Sequence, residues 1–150
     1  MQPLPDGWLV RVEDCEAQAE ERARTANRVV VDLRQPRPWT VTVSGEAGRW
    51  AQDLTPRHAE LLYALARHRD GRTAAELAVD LFGDATRTVT VRAEMSRIRR
   101  TLAGVLTHRP YRFAEGVDVQ LRCPPDAADL LPGSTAPIVL GARRRRDALP

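Results

Sequence analysis

The sequence predicts an α+β fold: an N-terminal antiparallel sheet, a three-helix core and a C-terminal hairpin. Three observations predict it. Apolar residues alternate with polar ones between Arg28 and Asp53, then recur at helical spacing from Ala59 to Val105. Start and stop signals bracket the helical stretches. The length of 150 residues, 43% of them hydrophobic, suits one modest core with short appendages.

Taken in order, residues 1–12 read as an irregular start with a short strand around Trp8 to Val12. Residues 13–26 are rich in Ala and Glu and helical by propensity. Their apolar side chains are mostly Ala, so this is a connecting helix or a partly ordered linker. RVVVDL (28–33) and WTVTVS (39–44) are β-branched strands separated by Pro36 and Pro38. Gly45 and Gly48 mark a tight turn into a third strand, Arg49 to Asp53, and Trp39 and Trp50 are placed in the sheet core.

Thr55-Pro56 starts the first helix, with Thr as N-cap and Pro at the first position. Ala59, Leu62, Leu65 and Ala66, widened by Leu61, form its apolar stripe, and Asp70-Gly71 stops it. Thr73 and Glu76 form a capping box for a short second helix with Leu77 and Leu81 inward, ending at Gly83. The third helix starts near Thr88 or Thr90 and runs to about residue 106. Val91, Met95, Ile98, Leu102 and Val105 fall within about 80° of arc at about 100° per residue. The far side carries Arg92, Ala93, Ser96, Arg97 and Arg100, with Arg99 on its flank. Thr107 to Pro110 is a tight connection that leads to a strand, Tyr111 to Phe113, so Arg109-Pro110 stands at the tip of a short hairpin, and Val117 to Leu121 is a candidate further strand. Residues 123–135 are linker-like, and Ser134 or Thr135 caps a last helix that enters the tract Arg143 to Arg146.

The charge is unevenly placed. The formal net charge is only +3, and all 23 basic residues are Arg. Residues 86–112, however, hold seven Arg and one Glu. A helix-sized basic window is the footprint of an element that faces phosphates. An α-helix fits the major groove of B-DNA, and Arg bridges guanine O6 and N7 in bidentate fashion.

Sheet, helix, short turn, helix, short loop, basic amphipathic helix and hairpin is the order of a winged helix-turn-helix. Residues 54–113 resemble the OmpR/PhoB-type DNA-binding domain of bacterial transcription regulators. The carrying residues are LTPRHAELLYAL (54–65), GRTAAELAVDLFG (71–83), TVRAEMSRIRRTL (90–102) and YRF (111–113). The wording is similar to actinobacterial regulators that join a GAF-type sensor to this domain, including the LLPGSTAP run at 130–137. The resemblance implies a transcription regulator with double-stranded DNA as partner. It implies that Arg97 reads bases, Ala93 lies against the groove, and Arg92, Arg99 and Arg100 hold phosphates or assist at bases. Thr90 would meet a phosphate, Ser96 would leave room for close approach, and Arg109 and Tyr111 would form the wing contact. In that family the loop between the second and third helices meets RNA polymerase; here Asp84 to Arg87 is very short. Position 94, often basic in the family, is Glu94, whose expected partner is Arg97 three residues on. Phe82 is placed near the DNA backbone.

The domain reading is therefore a strand and linker helix (1–27), a DNA-binding domain (28–122), and a linker with a basic tail (123–150). No run of about 18 apolar residues predicts a membrane span. No secretory leader opens the chain, so a cytoplasmic location is expected. His58, His68 and His108 lack metal-ligand spacing, and Cys15 and Cys123 are read as free thiols. Without a phosphate loop, nucleophile elbow or carboxylate pair, no enzymatic activity and no cofactor are expected. The competing reading is a winged-helix protein-interaction module whose Arg face meets an acidic partner. The acidic segment 13–26 and the abrupt C-terminus suggest pieces of a larger architecture, although no sensor domain is read in the chain.

Overall fold

The computed structural model describes residues 26–102 and 104–148. The expected strand at Trp8 to Val12 and the helix-forming segment through residue 25 lie outside the described residues. The architecture is α+β. Strands β1 (Ala26–Asp32), β2 (Thr40–Gly45) and β3 (Gly48–Asp53) form an antiparallel meander. Val29, Val31, Val41 and Val43 point inward and are buried, as strand alternation requires. Trp39 is buried beside them, whereas Trp50 on the edge strand is half-buried.

Three helices follow: α1 (Pro56–Arg67), α2 (Ala74–Phe82) and α3 (Thr88–Thr101). Thr55 caps α1 by accepting a hydrogen bond from the His58 backbone N–H. The capping box of α2 is complete. Thr73 Oγ1 accepts from the Glu76 N–H at 3.1 Å, and the Thr73 N–H donates to Glu76 Oε1 at 2.9 Å. That hydrogen bond, more than the nearby Arg72 charge, lowers the Glu76 carboxyl below its ordinary range. Gly83 ends α2 in the left-handed conformation. Replacing Thr73 by Ala is expected to lower the unfolding free energy by about 1 kcal/mol in urea titration. An unchanged midpoint would show that the cap contributes nothing.

The apolar stripe of the third helix is buried as expected, but the helix is shorter than expected. It ends at Thr101, and Gly104 takes a left-handed φ of 82°. Leu102 and Val105 reach the core from the turn instead. The chain then forms a two-residue hairpin of β4 (Leu106–Thr107) and β5 (Arg112–Phe113). Tyr111 and Arg72 exchange backbone hydrogen bonds of 2.9 and 3.0 Å, which brings the hairpin against the turn between α1 and α2. At Gly71 the φ is +112°, and a Cβ there would lie 2.5 Å from Pro110 Cγ, so the turn can approach this closely only with glycine.

The hairpin expected with Arg109-Pro110 at its tip is β4–β5, and the further strand expected at Val117 to Leu121 is β6 (Asp118–Arg122). The segment Val117 to Leu121 does not return along Tyr111 to Phe113. It joins the first sheet parallel to β1, giving the order β3-β2-β1-β6. The reason is edge pairing: β1 has an unpaired side, and Val119 and Leu121 align with Val29 and Val31 against the core.

The stretch after residue 122 reads as a linker but is folded. Leu130, Leu131, Ala136 and Val139 are buried in the same core as the sheet and helices. Helix α4 (Pro137–Ala148) follows. Neither Ser134 nor Thr135 is its cap: the Ala136 carbonyl accepts the first helical hydrogen bonds, from Val139 and Leu140. Ser134 instead donates to the buried Glu60 carboxylate, which also holds Arg57 at 2.8 Å. Arg143 is not a free basic side chain, because its guanidinium donates to the Leu130 and Leu131 carbonyls. No helix among the described residues is long and apolar enough to cross a membrane.

Candidate nucleic-acid interface

The candidate surface is built on α3. Its inner side, Val91, Met95 and Ile98, is buried against the other helices. The same 3.6-residue period turns the opposite side to solvent. There Arg92, Ala93, Ser96, Arg97 and Arg100 are exposed together, as the spacing predicts. Arg92 and Arg100 have no carboxylate within ion-pair reach among the described residues, and Arg97 has Glu94 at 3.3 Å. Arg92 also lies 3.4 Å from the Thr88 hydroxyl one turn earlier. Two unpaired guanidiniums with the small side chains of Ala93 and Ser96 beside them can receive a polyanion at close range.

The remaining expected site residues are placed differently. Thr90 is half-buried within the first turn of α3, on the flank of the outer face that Arg97 occupies two turns later. Arg99 is half-buried, and its Nε reaches toward the Leu106 carbonyl at 3.5 Å, so part of its capacity is turned to the start of the hairpin. Arg109 is exposed at the hairpin turn with a left-handed φ of 68°. The Tyr111 ring is half-buried and packs on the core, its backbone tied to Arg72. Phe82 lies between two guanidiniums, Arg57 at 4.6 Å and Arg87 at 4.1 Å from its ring centre.

Between α2, α3 and the hairpin runs an open groove of about 710 Å³ lined by Thr73, Arg92, His108, Arg109, Pro110 and Tyr111, among others. Arg92 and Arg109 therefore border one groove although 17 residues separate them in sequence. Thr73 and Ala74, at the start of α2, line the same concave surface as the two Arg side chains.

Two residues of the surface escape a reading based on charge. Val89 is 77% exposed. At about 100° per residue it lies amid Arg92, Ala93, Ser96 and Arg100, at the middle of the outer face. An apolar β-branched side chain so placed suits contact with a methyl group. The helical wheel carries that signal, provided the wheel is extended one turn before the buried stripe. The second is His58 on α1. Its Nε2 lies 3.0 Å from Glu94 Oε1. Nothing in local spacing announces this contact, because 36 residues separate the pair.

Glu94 is thus held from two sides. Burial pushes its carboxyl up. Hydrogen bonds and charge from His58 and Arg97 outweigh burial and leave it below the ordinary value. Whatever stability the ionised Glu94 contributes is complete above the ordinary carboxylate range. It is lost as pH falls through the lowered value.

The short loop before α3 is ordered by Asp84. Its carboxylate accepts from the Thr86 hydroxyl at 2.6 Å and the Thr86 N–H at 2.9 Å, which lowers its proton affinity. Among the described residues no group of three or more His, Cys, Asp and Glu side chains could hold a metal ion. Cys123 is an exposed free thiol; Cys15 lies outside the described residues.

No protein-family model matches the chain, and no solved structure matches it. Among curated proteins it is similar to an uncharacterized 47.3 kDa protein in the thcA 5′ region of Rhodococcus erythropolis. The two are 45% identical over 61 residues, which is 40% of this chain and 14% of that protein. The chain matches only a small part of its relative's length.

Proposed function

We propose that this chain is a DNA-binding module of a transcription regulator, of the winged helix-turn-helix kind and similar to the OmpR/PhoB type. Helix α3 enters the major groove of double-stranded DNA, and the β4–β5 hairpin touches the flanking backbone. Such a protein works in the cytoplasm and needs no cofactor or catalytic group. The observation that carries the reading is the division of α3. One side is buried, and the other presents Val89, Arg92, Ala93, Ser96, Arg97 and Arg100 to solvent. An ordinary solvated helix has no need of small residues between its cations, whereas a helix approaching base edges does. The groove beside Arg109 supports a second contact, to the backbone next to the site.

Arg97 is assigned to base reading and Arg100 to phosphate. Mobility shifts on DNA selected from a random pool, repeated across salt concentrations, separate the two roles. Arg97→Ala is expected to cost about 1–3 kcal/mol and to relax preference at one position. Arg100→Ala is expected to weaken binding to all sequences and to flatten the log–log salt slope by about one unit. No shift at low salt, together with recovery of an acidic protein on the same face, would favour the protein-interaction reading. RNA polymerase is a less favoured partner in this proposal, because the loop before α3 is short and ordered by Asp84.

A further inference from the structure

The base-reading assignment of Arg97 leaves a physical difficulty. Its side chain is 61% exposed and carries the guanidinium on a long flexible stem, which alone would leave its direction undefined. The acid beside it, Glu94, would repel phosphates if it stood on the outer face. Neither holds in this arrangement. Glu94 Oε1 is the meeting point of two contacts, His58 Nε2 at 3.0 Å and Arg97 at 3.3 Å. The His58 side chain is only 16% exposed and that of Glu94 23% exposed. The His58 backbone is itself fixed, because its N–H donates to Thr55 Oγ1 at the N-cap of α1. A chain of contacts therefore runs from a capped helix end, through an inward imidazole and a half-buried carboxylate, to an outward guanidinium.

We propose that His58 is a positioning residue for Arg97: it draws Glu94 against the seam between α1 and α3, and Glu94 in turn holds the Arg97 guanidinium at the rim of the reading face. The inference rests on the DNA-binding reading and extends it to a residue outside the basic window. Two physical consequences follow. Anchoring Glu94 keeps the one acid of the window off the surface that meets phosphates. It also reduces the number of directions Arg97 samples before binding, which is preorganisation. Without His58, Glu94 has Arg97 as its remaining charged partner. The pair is then free to swing outward together, which withdraws Arg97 from base contact.

The test uses the full chain and compares wild type with Arg97→Ala, His58→Leu and His58→Gln, where Gln keeps an N–H donor. Two readouts are taken: base preference by selection from random double-stranded DNA, and NMR titration of the Glu94 carboxyl without DNA. His58→Leu is expected to reduce discrimination about 3- to 10-fold at the same base position that Arg97→Ala relaxes. In the same variant the Glu94 carboxyl is expected to rise toward its ordinary value. His58→Gln is expected to restore most of the preference. Circular dichroism and thermal melting check that each variant is folded. If wild type binds selectively and Arg97→Ala relaxes one position, but His58→Leu keeps the wild-type profile, this inference alone is overturned. A uniform loss of affinity in both His58 variants, with preference unchanged, would also overturn it, since that marks a packing role. An unchanged Glu94 titration in His58→Leu would break the first link. Absence of any DNA binding by wild type would overturn the DNA-binding reading and this inference with it.

Discussion

Replacing Arg92, Arg97 and Arg100 together by Ala is expected to reduce DNA affinity at least about 100-fold at low salt, since each side chain contributes about 1–3 kcal/mol. The log–log salt slope is expected to flatten by up to about two units, one each for the phosphates that Arg92 and Arg100 no longer neutralise. The three side chains are chosen because they are exposed on one face of α3 and none belongs to the core. Their removal should therefore spare the fold. Among the described residues one ion pair is broken, Arg97 to Glu94, and pairs with one partner in solvent contribute little to stability. Thermal melting of the variant within a few degrees of wild type is the necessary control. A triple variant that melts normally and still binds with the wild-type salt slope would place the interface elsewhere on the molecule.

Asp80→Ala is expected to have the largest effect on stability, a loss of about 2–4 kcal/mol. Arg72 meets Asp80 in a two-point fork, Nε to Oδ2 at 3.0 Å and NH2 to Oδ1 at 2.8 Å. The Asp80 side chain is 10% exposed and that of Arg72 22%. Asp80, through this hydrogen bond, raises the Arg72 pKa above its ordinary value, against the opposing effect of burial. Arg72 is also the residue whose backbone pairs with Tyr111, so its side chain grips α2 while its main chain holds the hairpin. Removing the carboxylate leaves a partly buried cation whose remaining ion-pair partner among the described residues is Glu76, at 3.8 Å. Loss of the pair should therefore loosen the hairpin as well as α2. Urea unfolding measures the first effect, and hydrogen exchange at Tyr111 the second. The double variant Arg72→Met with Asp80→Leu should recover much of the loss, because it removes the stranded charge. A change below about 0.5 kcal/mol for Asp80→Ala would mean that water replaces the carboxylate at no cost.

Much of this arrangement is legible in the amino-acid sequence. The alternation of Val41 and Val43 with threonines, the Thr55-Pro56 start, the Thr73 capping box and the Gly83 stop all act within a few residues. Each is found where its spacing places it. The two sides of α3 are equally local: one periodicity sets both the buried stripe and the exposed Arg face. Val89 is readable on the same wheel but is masked by attention to charge. Arg99 is not, since its partner is the carbonyl of Leu106, beyond the end of its own helix.

By itself, then, the sequence determined the order and type of the main elements, the caps of the first two helices, and the segregation of charge on the third helix. Periodicity and capping depend on neighbours within one or two turns, so they are written in the chain. The tertiary structure decided which partners distant segments take. Strand β6 pairs with β1 because an edge was vacant and Val119 and Leu121 could pack against the core there. Leu130 to Val139 fold onto the core because their apolar side chains find a surface that no spacing rule reveals. His58 meets Glu94 across 36 residues because α1 and α3 pack together. Pairings of this kind depend on which surfaces meet after collapse, and a linear pattern of residues does not specify that.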